Sequence, residues 1–169
     1  MKVKHRYMLR RKEVKMLIRE ISEKVPQLLS EIEIPRNRSA NVEMLITNKG
    51  HVIYSFNGKP LIIRLENYFI PTIEVANEYG KHFSKVVVDR GAVPHIANGA
   101  DVMAPGIVRI EGEFRKGDIV LIAEETYGRI IAIGVALLSS SEVGTRGKVI
   151  ENLHYVGDKL WRFIHEIYG

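Results

Sequence analysis

One stretch, residues 85–110, constrains the fold of this chain more than any other: KVVVDRGAVPHIANGADVMAPGIVRI. It opens with three consecutive valines, a β-branched run that is typical of a buried strand. Residues 93–97 leave room for only a turn or two of helix, and Asn98-Gly99 ends it, because glycine tolerates the left-handed conformation that often follows a helix. The stretch therefore predicts one very short helix between two strands, with a glycine-marked turn on each side.

The small residues of these two turns have two interpretations. They let another backbone approach closely and leave N–H groups uncovered, which suits a phosphate or an unpaired nucleotide. The simpler interpretation is that the glycines only turn the chain. The stretch is not a P-loop, because it lacks Gly-Lys-Ser/Thr, and it is not a dinucleotide-binding fingerprint, because no long helix follows the first turn. The spacing alone leaves both interpretations open.

Composition excludes several classes of protein. The 169 residues include no cysteine, which excludes disulfides and thiolate metal sites and favours a cytoplasmic protein. No apolar run reaches the roughly 18 residues that a membrane span needs, and the basic N-terminus is not followed by the apolar region of a signal peptide. The histidines show no metal-site spacing, and neither a GxSxG motif nor a cysteine nucleophile occurs. We therefore expect no enzymatic activity, no cofactor, no metal and no membrane contact.

Basic charge is concentrated at the N-terminus. The net charge is +5, and residues 1–24 hold nine Lys and Arg against three Glu. Apolar residues at helical spacing predict a helix over about residues 10–24, which Pro26 ends or kinks. We expect an anionic partner to be attracted to this region first, although a solvated charged face is the alternative. The predicted secondary basic contact consists of Arg10, Arg11, Lys12, Lys15 and Arg19.

The rest of the chain predicts two packed units. After a loop over residues 34–39, three strands at 42–47, 51–56 and 61–65 form an antiparallel meander, and a helix follows over 73–79. The second half is mostly short strands with glycine corners, which indicates a small closed barrel. Gly134, inside a long strand, predicts a bulge or bend, and Asp158 is expected to cap a terminal helix. The predicted domains are residues 1–81, an α+β unit, and residues 82–169.

Several segments resemble a known family. The block VVVDRGAVPHIANGADVMAPGI resembles the opening strand, helix and glycine loops of a PUA domain. RKGDIVLI, GRIIAIGVA and GKVIENLHYVGDKLW resemble its later strands and its closing segment. Upstream, FIPTIEVANEY is similar to the segment before the PUA domain in the malignant T-cell-amplified proteins, a family of translation re-initiation and ribosome-recycling factors. The chain is identified as a member of that family, and we expect an archaeal one.

The resemblance implies an α+β fold, with an N-terminal helix and antiparallel meander packed on a C-terminal PUA-type small β-barrel. It implies a monomer that binds RNA without catalysis, either structured RNA or a tRNA acceptor end. The implied partners are tRNA or rRNA, with the small ribosomal subunit or a translation factor. The alternatives are an accessory or adaptor subunit of a tRNA- or rRNA-modification complex, and an RNA-modifying enzyme whose site would lie in the first eighty residues.

Carried over to this sequence, the resemblance implies three RNA-contacting segments. They are Asp89, Arg90, Gly91 and Ala92 in the first turn; Gly99, Ala100, Asp101, Val102, Met103, Ala104, Pro105 and Gly106 in the second loop; and Gly147, Lys148 and Val149 in the closing strand.

Each kind of residue in these segments has an expected role. Uncovered N–H groups at Gly91, Ala92 and Gly99 would meet the ribose-phosphate backbone. Arg90 and Lys148 would each neutralise a phosphate. The carboxylate of Asp89 is expected to cap its turn rather than act in catalysis. The apolar floor for a base would consist of Val102, Met103 and Pro105.

Overall fold

The N-terminal half is a five-stranded antiparallel sheet. A computed structural model describes residues 1–31 and 41–169, so the loop predicted over 34–39 lies outside the described residues. The strands follow each other in the sheet as they do in the sequence. They are β1 (Val3–Met8), β2 (Val42–Thr47), β3 (Val52–Phe56), β4 (Lys59–Leu65) and β5 (Tyr68–Pro71). The predicted meander is confirmed as β2 to β4, and the sequence did not predict the flanking strands β1 and β5.

Three helices accompany this sheet: α1 (Arg11–Lys24), α2 (Pro26–Glu31) and α3 (Ile73–Tyr79). The predicted first helix is confirmed, and Leu17 and Ile21 are buried on its apolar face. Pro26 is the first residue of α2, a position whose N–H has no partner within the helix, so a proline costs no hydrogen bond there. The Thr72 hydroxyl caps α3 by accepting a hydrogen bond from the Val75 N–H at 3.4 Å. Among the helices that the structure describes, none combines the length and apolarity needed to cross a bilayer.

The C-terminal half contains a six-stranded sheet and two helices. Its strands lie in the order β7-β11-β10-β9-β6-β8, and only the β6–β9 pair is parallel. The elements are β6 (Lys85–Val88), α4 (Val93–Ile96), β7 (Val102–Met103), β8 (Ile107–Glu111), β9 (Ile119–Glu124), β10 (Ile130–Ala136), β11 (Lys148–Tyr155) and α5 (Lys159–Tyr168). The predicted short helix between two glycine turns is therefore confirmed as α4.

The two edges of this sheet are brought together by a very short connection. β7 and β8 are the opposite edge strands, yet only the 3-10 turn Ala104–Gly106 separates them in the chain. Three residues span at most roughly 10 Å, so the edges must lie near each other. The sheet therefore curls on itself, which confirms the predicted barrel-type fold.

Alternation along the barrel strands creates two apolar clusters. Val86 and Val88 of β6 point into the barrel, whereas Val87 points outward, as expected for neighbouring residues of a strand. The outward residues pack in one continuous cluster with the five-stranded sheet and with Leu160 and Phe163 of α5. The two halves are therefore packed together. The division between residues 81 and 82 stays a prediction.

The end of β11 is tied to α5 by Asp158. Its Oδ1 accepts a hydrogen bond from the Trp161 N–H at 2.6 Å, which confirms the predicted helix cap. Its Oδ2 accepts from the Tyr155 N–H at 3.0 Å and lies 2.7 Å from Nδ1 of His154, whose side chain is 1% exposed. Burial opposes ionisation of Asp158, but His154 and the two N–H groups hold the pKa of this carboxyl below its ordinary value.

Candidate functional site

The first predicted turn follows directly from the end of β6. The Asp89 Oδ1 accepts a hydrogen bond from the Ala92 N–H at 2.8 Å, which closes the turn as expected for a capping aspartate. The Asp89 N–H donates to the Gly106 carbonyl at 2.9 Å. Arg90 and Gly91 are exposed at the tip. The carboxylate thus shapes the turn, and the exposed tip is left for a ligand.

The second loop is fastened to β11 by Asn152, a residue that sequence reasoning missed. The Asn152 N–H donates to Oδ1 of Asp101 at 2.9 Å. Its Nδ2 donates to the carbonyls of Ile96 at 3.2 Å and Ala100 at 3.1 Å. The second oxygen of Asp101 lies 3.3 Å from Nζ of Lys148. Asp101 therefore fixes the loop and orients Lys148.

The three predicted segments converge at one end of the barrel. A Cβ atom at Gly106 would lie 3.0 Å from Cβ of Ala92, so a glycine lets the first turn and the second loop touch. The Ala104 N–H donates to the Gly147 carbonyl at 2.9 Å, which joins the second loop to the closing strand. Lys148 is the cross-strand partner of Met103, so their side chains share one face of the sheet.

Gly99 does not have the role that was expected for it. Its N–H donates to the Ile96 carbonyl at 3.0 Å, so it is not free for a ligand. Its φ of +91° is left-handed, and a Cβ atom there would lie 3.2 Å from Cε1 of Tyr155. Gly99 therefore ends α4 and makes room for the Tyr155 ring, as the simpler interpretation of the glycines predicted.

Burial also corrects part of the expected apolar floor. Val102 is 1% exposed and Val149 is 1% exposed, so both belong to the barrel core and neither can contact a base. Ala104 is 7% exposed and is likewise buried. The Ala92 N–H, which was expected to be uncovered, is occupied by the Asp89 carboxylate. The candidate residues that remain exposed around the converging turns are Arg90, Gly91, Ala100, Met103, Pro105, Gly147 and Lys148.

The predicted basic contact lies at the start of α1. Arg10 precedes the helix, and its backbone N–H donates to the Glu13 carboxylate at 2.7 Å. Arg19 pairs with Glu23 at 3.6 Å on the exposed face of the helix. The three remaining members, all of them exposed, are Arg11, Lys12 and Lys15.

A separate cleft of about 790 Å³ lies between β11 and the five-stranded sheet. Burial lowers the pKa of His51 in this cleft, so its ring is held more strongly in the neutral form. Arg90 and Lys148 do not line it, so this cleft is distinct from the converging turns. The lining includes His51, Tyr68, Asn152, Tyr155 and Lys159. Within the described residues, no group of three or more His, Cys, Asp or Glu is placed to hold a metal ion.

This barrel, with its short helix between two glycine turns, defines a PUA domain. The PUA domain model matches residues 84–156, and the model described as a domain of unknown function (DUF1947) matches residues 5–79. The folds agree as well. A hypothetical protein from Pyrococcus horikoshii is 34% identical with a TM-score of 0.75, over 94% of this chain and 99% of that one. A PUA domain from Aeropyrum pernix shares the fold at a TM-score of 0.81, with 24% identity over 100% and 99% of the two chains.

Relatives in sequence identify the family. An uncharacterized protein of Methanocaldococcus jannaschii is 37% identical over 96% of this chain and 99% of its own. Translation machinery-associated protein 20 of Schizosaccharomyces pombe is 32% identical over 68% of this chain and 67% of its own. Malignant T-cell-amplified sequence 1-B of Xenopus laevis is 30% identical over 64% of each chain. The chain belongs to this family of PUA-domain proteins, as the resemblance indicated.

Proposed function

We propose that this protein binds RNA without catalysing a reaction, and that the converging turns of the barrel hold the unpaired end of a tRNA acceptor stem. The observation that carries the proposal is that four exposed residues lie on hydrogen-bonded neighbours: Lys148 is opposite Met103, and the turn that carries Arg90 is bonded through Asp89 to Gly106, the residue after Pro105. Two cations can neutralise phosphates on either side of a small apolar patch that suits a base. The exposed Gly91 offers an N–H on a turn without a side chain.

The family supports a role in translation. Several relatives carry the names translation machinery-associated protein 20 and eukaryotic translation initiation factor 2D. A protein that holds an acceptor end beside the small ribosomal subunit would need a second, less specific contact. Arg11, Lys12 and Lys15 would supply it on a duplex stem or on ribosomal RNA.

The acceptor-end proposal predicts that removing the 3′-terminal nucleotides of a tRNA weakens binding by at least about tenfold, because the unpaired bases and their phosphates leave the turns. Binding of intact and shortened tRNA to the full chain by fluorescence anisotropy would measure this. Equal affinity for the two RNAs would remove the acceptor end from the proposal, while general RNA binding would stand.

Lys148→Ala is expected to lower the slope of log affinity against log salt by about one, because one phosphate contact is lost. Lys116→Ala is the matched control, since Lys116 is an exposed lysine in the turn between β8 and β9. The control should bind as the unaltered protein does. A slope that stays the same in Lys148→Ala would exclude a phosphate contact at this position.

A further inference from the structure

The hairpin between β9 and β10 presents an aromatic ring to solvent. Tyr127 is 84% exposed, the highest exposure among the large apolar and aromatic side chains that the structure describes as exposed. A tyrosine ring offers a large, flat surface with few rotatable bonds, so little conformational entropy is lost when it contacts a ligand. A ring held this far out of the barrel contributes little to its packing and is available for recognition.

The turn that carries Tyr127 is rigid. The Glu124 carboxylate accepts hydrogen bonds from three backbone N–H groups: Thr126 at 2.7 Å, Tyr127 at 2.9 Å and Arg129 at 2.9 Å. These bonds hold the pKa of Glu124 below its ordinary value, and the bond from the Arg129 N–H contributes most to the lowering. Gly128, with a φ of +70°, supplies the left-handed residue of the turn. The backbone at Tyr127 is therefore pre-organised before any ligand binds.

Tyr127 lies at the same end of the barrel as the first glycine turn. β6 and β9 are parallel neighbours, with Val88 opposite Glu124, so the turns that follow them emerge side by side. Two hydrogen bonds join the turns: the Arg90 N–H donates to Oε1 of Glu125 at 3.2 Å, and the Glu125 N–H donates to the Val88 carbonyl at 3.1 Å. Any ligand on the Arg90 turn is therefore adjacent to the hairpin that carries Tyr127.

The hairpin itself carries no excess of positive charge. Glu124 and Glu125 outnumber Arg129 on it, so Tyr127 does not lie in a phosphate-binding patch. A ligand on the hairpin must therefore be bound by the ring, while Arg90 on the neighbouring turn serves the phosphate. Every nucleic-acid base has a π-face that stacks on an aromatic side chain, which makes such a contact tolerant of sequence and insensitive to salt.

We propose that Tyr127 is a stacking platform for one unpaired base of the RNA whose neighbouring nucleotides lie on the Arg90 turn. This inference rests on the proposed function and adds a second subsite to it. The hydrogen-bonded turn holds the backbone that carries the ring, and the two hydrogen bonds to the Arg90 turn keep the two turns side by side.

The test compares Tyr127→Ala and Tyr127→Phe in the full chain. Tyr127→Ala is expected to weaken binding of a tRNA by about tenfold while leaving the salt slope unchanged, because a stacked base and no phosphate is lost. Tyr127→Phe keeps the ring and should bind normally. Tyr79→Ala is a control for the loss of an exposed ring, since Tyr79 is 38% exposed and ends α3 in the other half.

A second readout places the base directly. 2-Aminopurine is substituted at each unpaired position of the RNA in turn, and one position should lose fluorescence on binding because of stacking. Tyr127→Ala should restore that fluorescence, and Tyr127→Phe should not. Unchanged affinity and unchanged fluorescence in Tyr127→Ala would overturn the inference and leave the ring as a protein contact. The proposed function is tested separately in the unaltered protein, by its binding of RNA and by the loss of affinity when the 3′-terminal nucleotides of the tRNA are removed.

Discussion

Gly134→Ala is expected to destabilise the protein by about 3 kcal/mol or more, which corresponds to a fall in Tm of roughly 10 °C. A Cβ atom at this position would overlap the carbonyl oxygen of Glu151 and the Cγ2 methyl of Ile150. The register between β10 and β11 shifts at this point, so the two backbones approach closely at an irregularity. Because one of the overlapping atoms belongs to the backbone, a side-chain rotation cannot relieve the clash.

Thermal unfolding followed by circular dichroism would measure the effect. Gly144→Ala is the matched control: a Cβ atom there would meet nothing within 4 Å. That substitution should leave Tm unchanged or raise it slightly, because alanine restricts the unfolded chain. Similar Tm values for the two variants would show that the close approach of the backbones at Gly134 does not limit the stability of the protein.

Asp158→Ala is expected to destabilise the protein by about 3–5 kcal/mol, because it removes one partner of a buried pair. His154 would keep a buried ring nitrogen without its carboxylate, and the N–H groups of Tyr155 and Trp161 would lose their acceptor. Urea unfolding of both proteins at neutral pH would measure the difference. Asp118→Ala is a control, since Asp118 is exposed and accepts from the Arg115 N–H at 2.9 Å in an ordinary turn.

The effect of Asp158→Ala should depend on pH in a defined direction. The folded pKa of Asp158 lies below its ordinary value, so its stabilising contribution is complete above the unfolded pKa of about 3.9. That contribution is lost as the pH falls through the lower folded pKa. The stability difference between the variant and the unaltered protein should therefore shrink below about pH 4. A difference that stayed constant down to pH 2 would contradict the lowered pKa of the Asp158 carboxyl.

Local patterns in the sequence predicted the elements that are determined locally. The apolar spacing of α1 and the glycine turns around α4 each state a requirement that neighbouring residues alone impose. The interior glycine at position 134 indicated an irregular strand, although the residues that require it lie on β11. The family resemblance supplied the way in which these elements assemble. The fold was therefore predictable to the level of an antiparallel meander packed on a small PUA-type barrel.

Features that depend on distant residues were not predictable. β1 is exposed along its whole length, so it lacks the alternating apolar pattern of a half-buried strand. The Gly99 N–H is occupied locally, by the Ile96 carbonyl, but the contact that leaves no room for a side chain at Gly99 is with Tyr155, far away in the sequence. The role of Asn152 depends in the same way on a loop some fifty residues earlier. The signal in the sequence is an asparagine within a strand segment, because asparagine is uncommon in strands.

The position of α5 has a consequence for how this architecture can evolve. The helix follows the barrel in the sequence, but Leu160, Phe163 and Ile164 belong to the cluster shared with the five-stranded sheet, and the Tyr168 hydroxyl donates to Glu43 at 3.2 Å. A recombination event with a single crossover after α3 would combine a new five-stranded sheet with an α5 whose side chains pack on the original sheet. We therefore expect substitutions in α5 to covary with those in β2 and β4 across the family, so that both ends of the gene are inherited together.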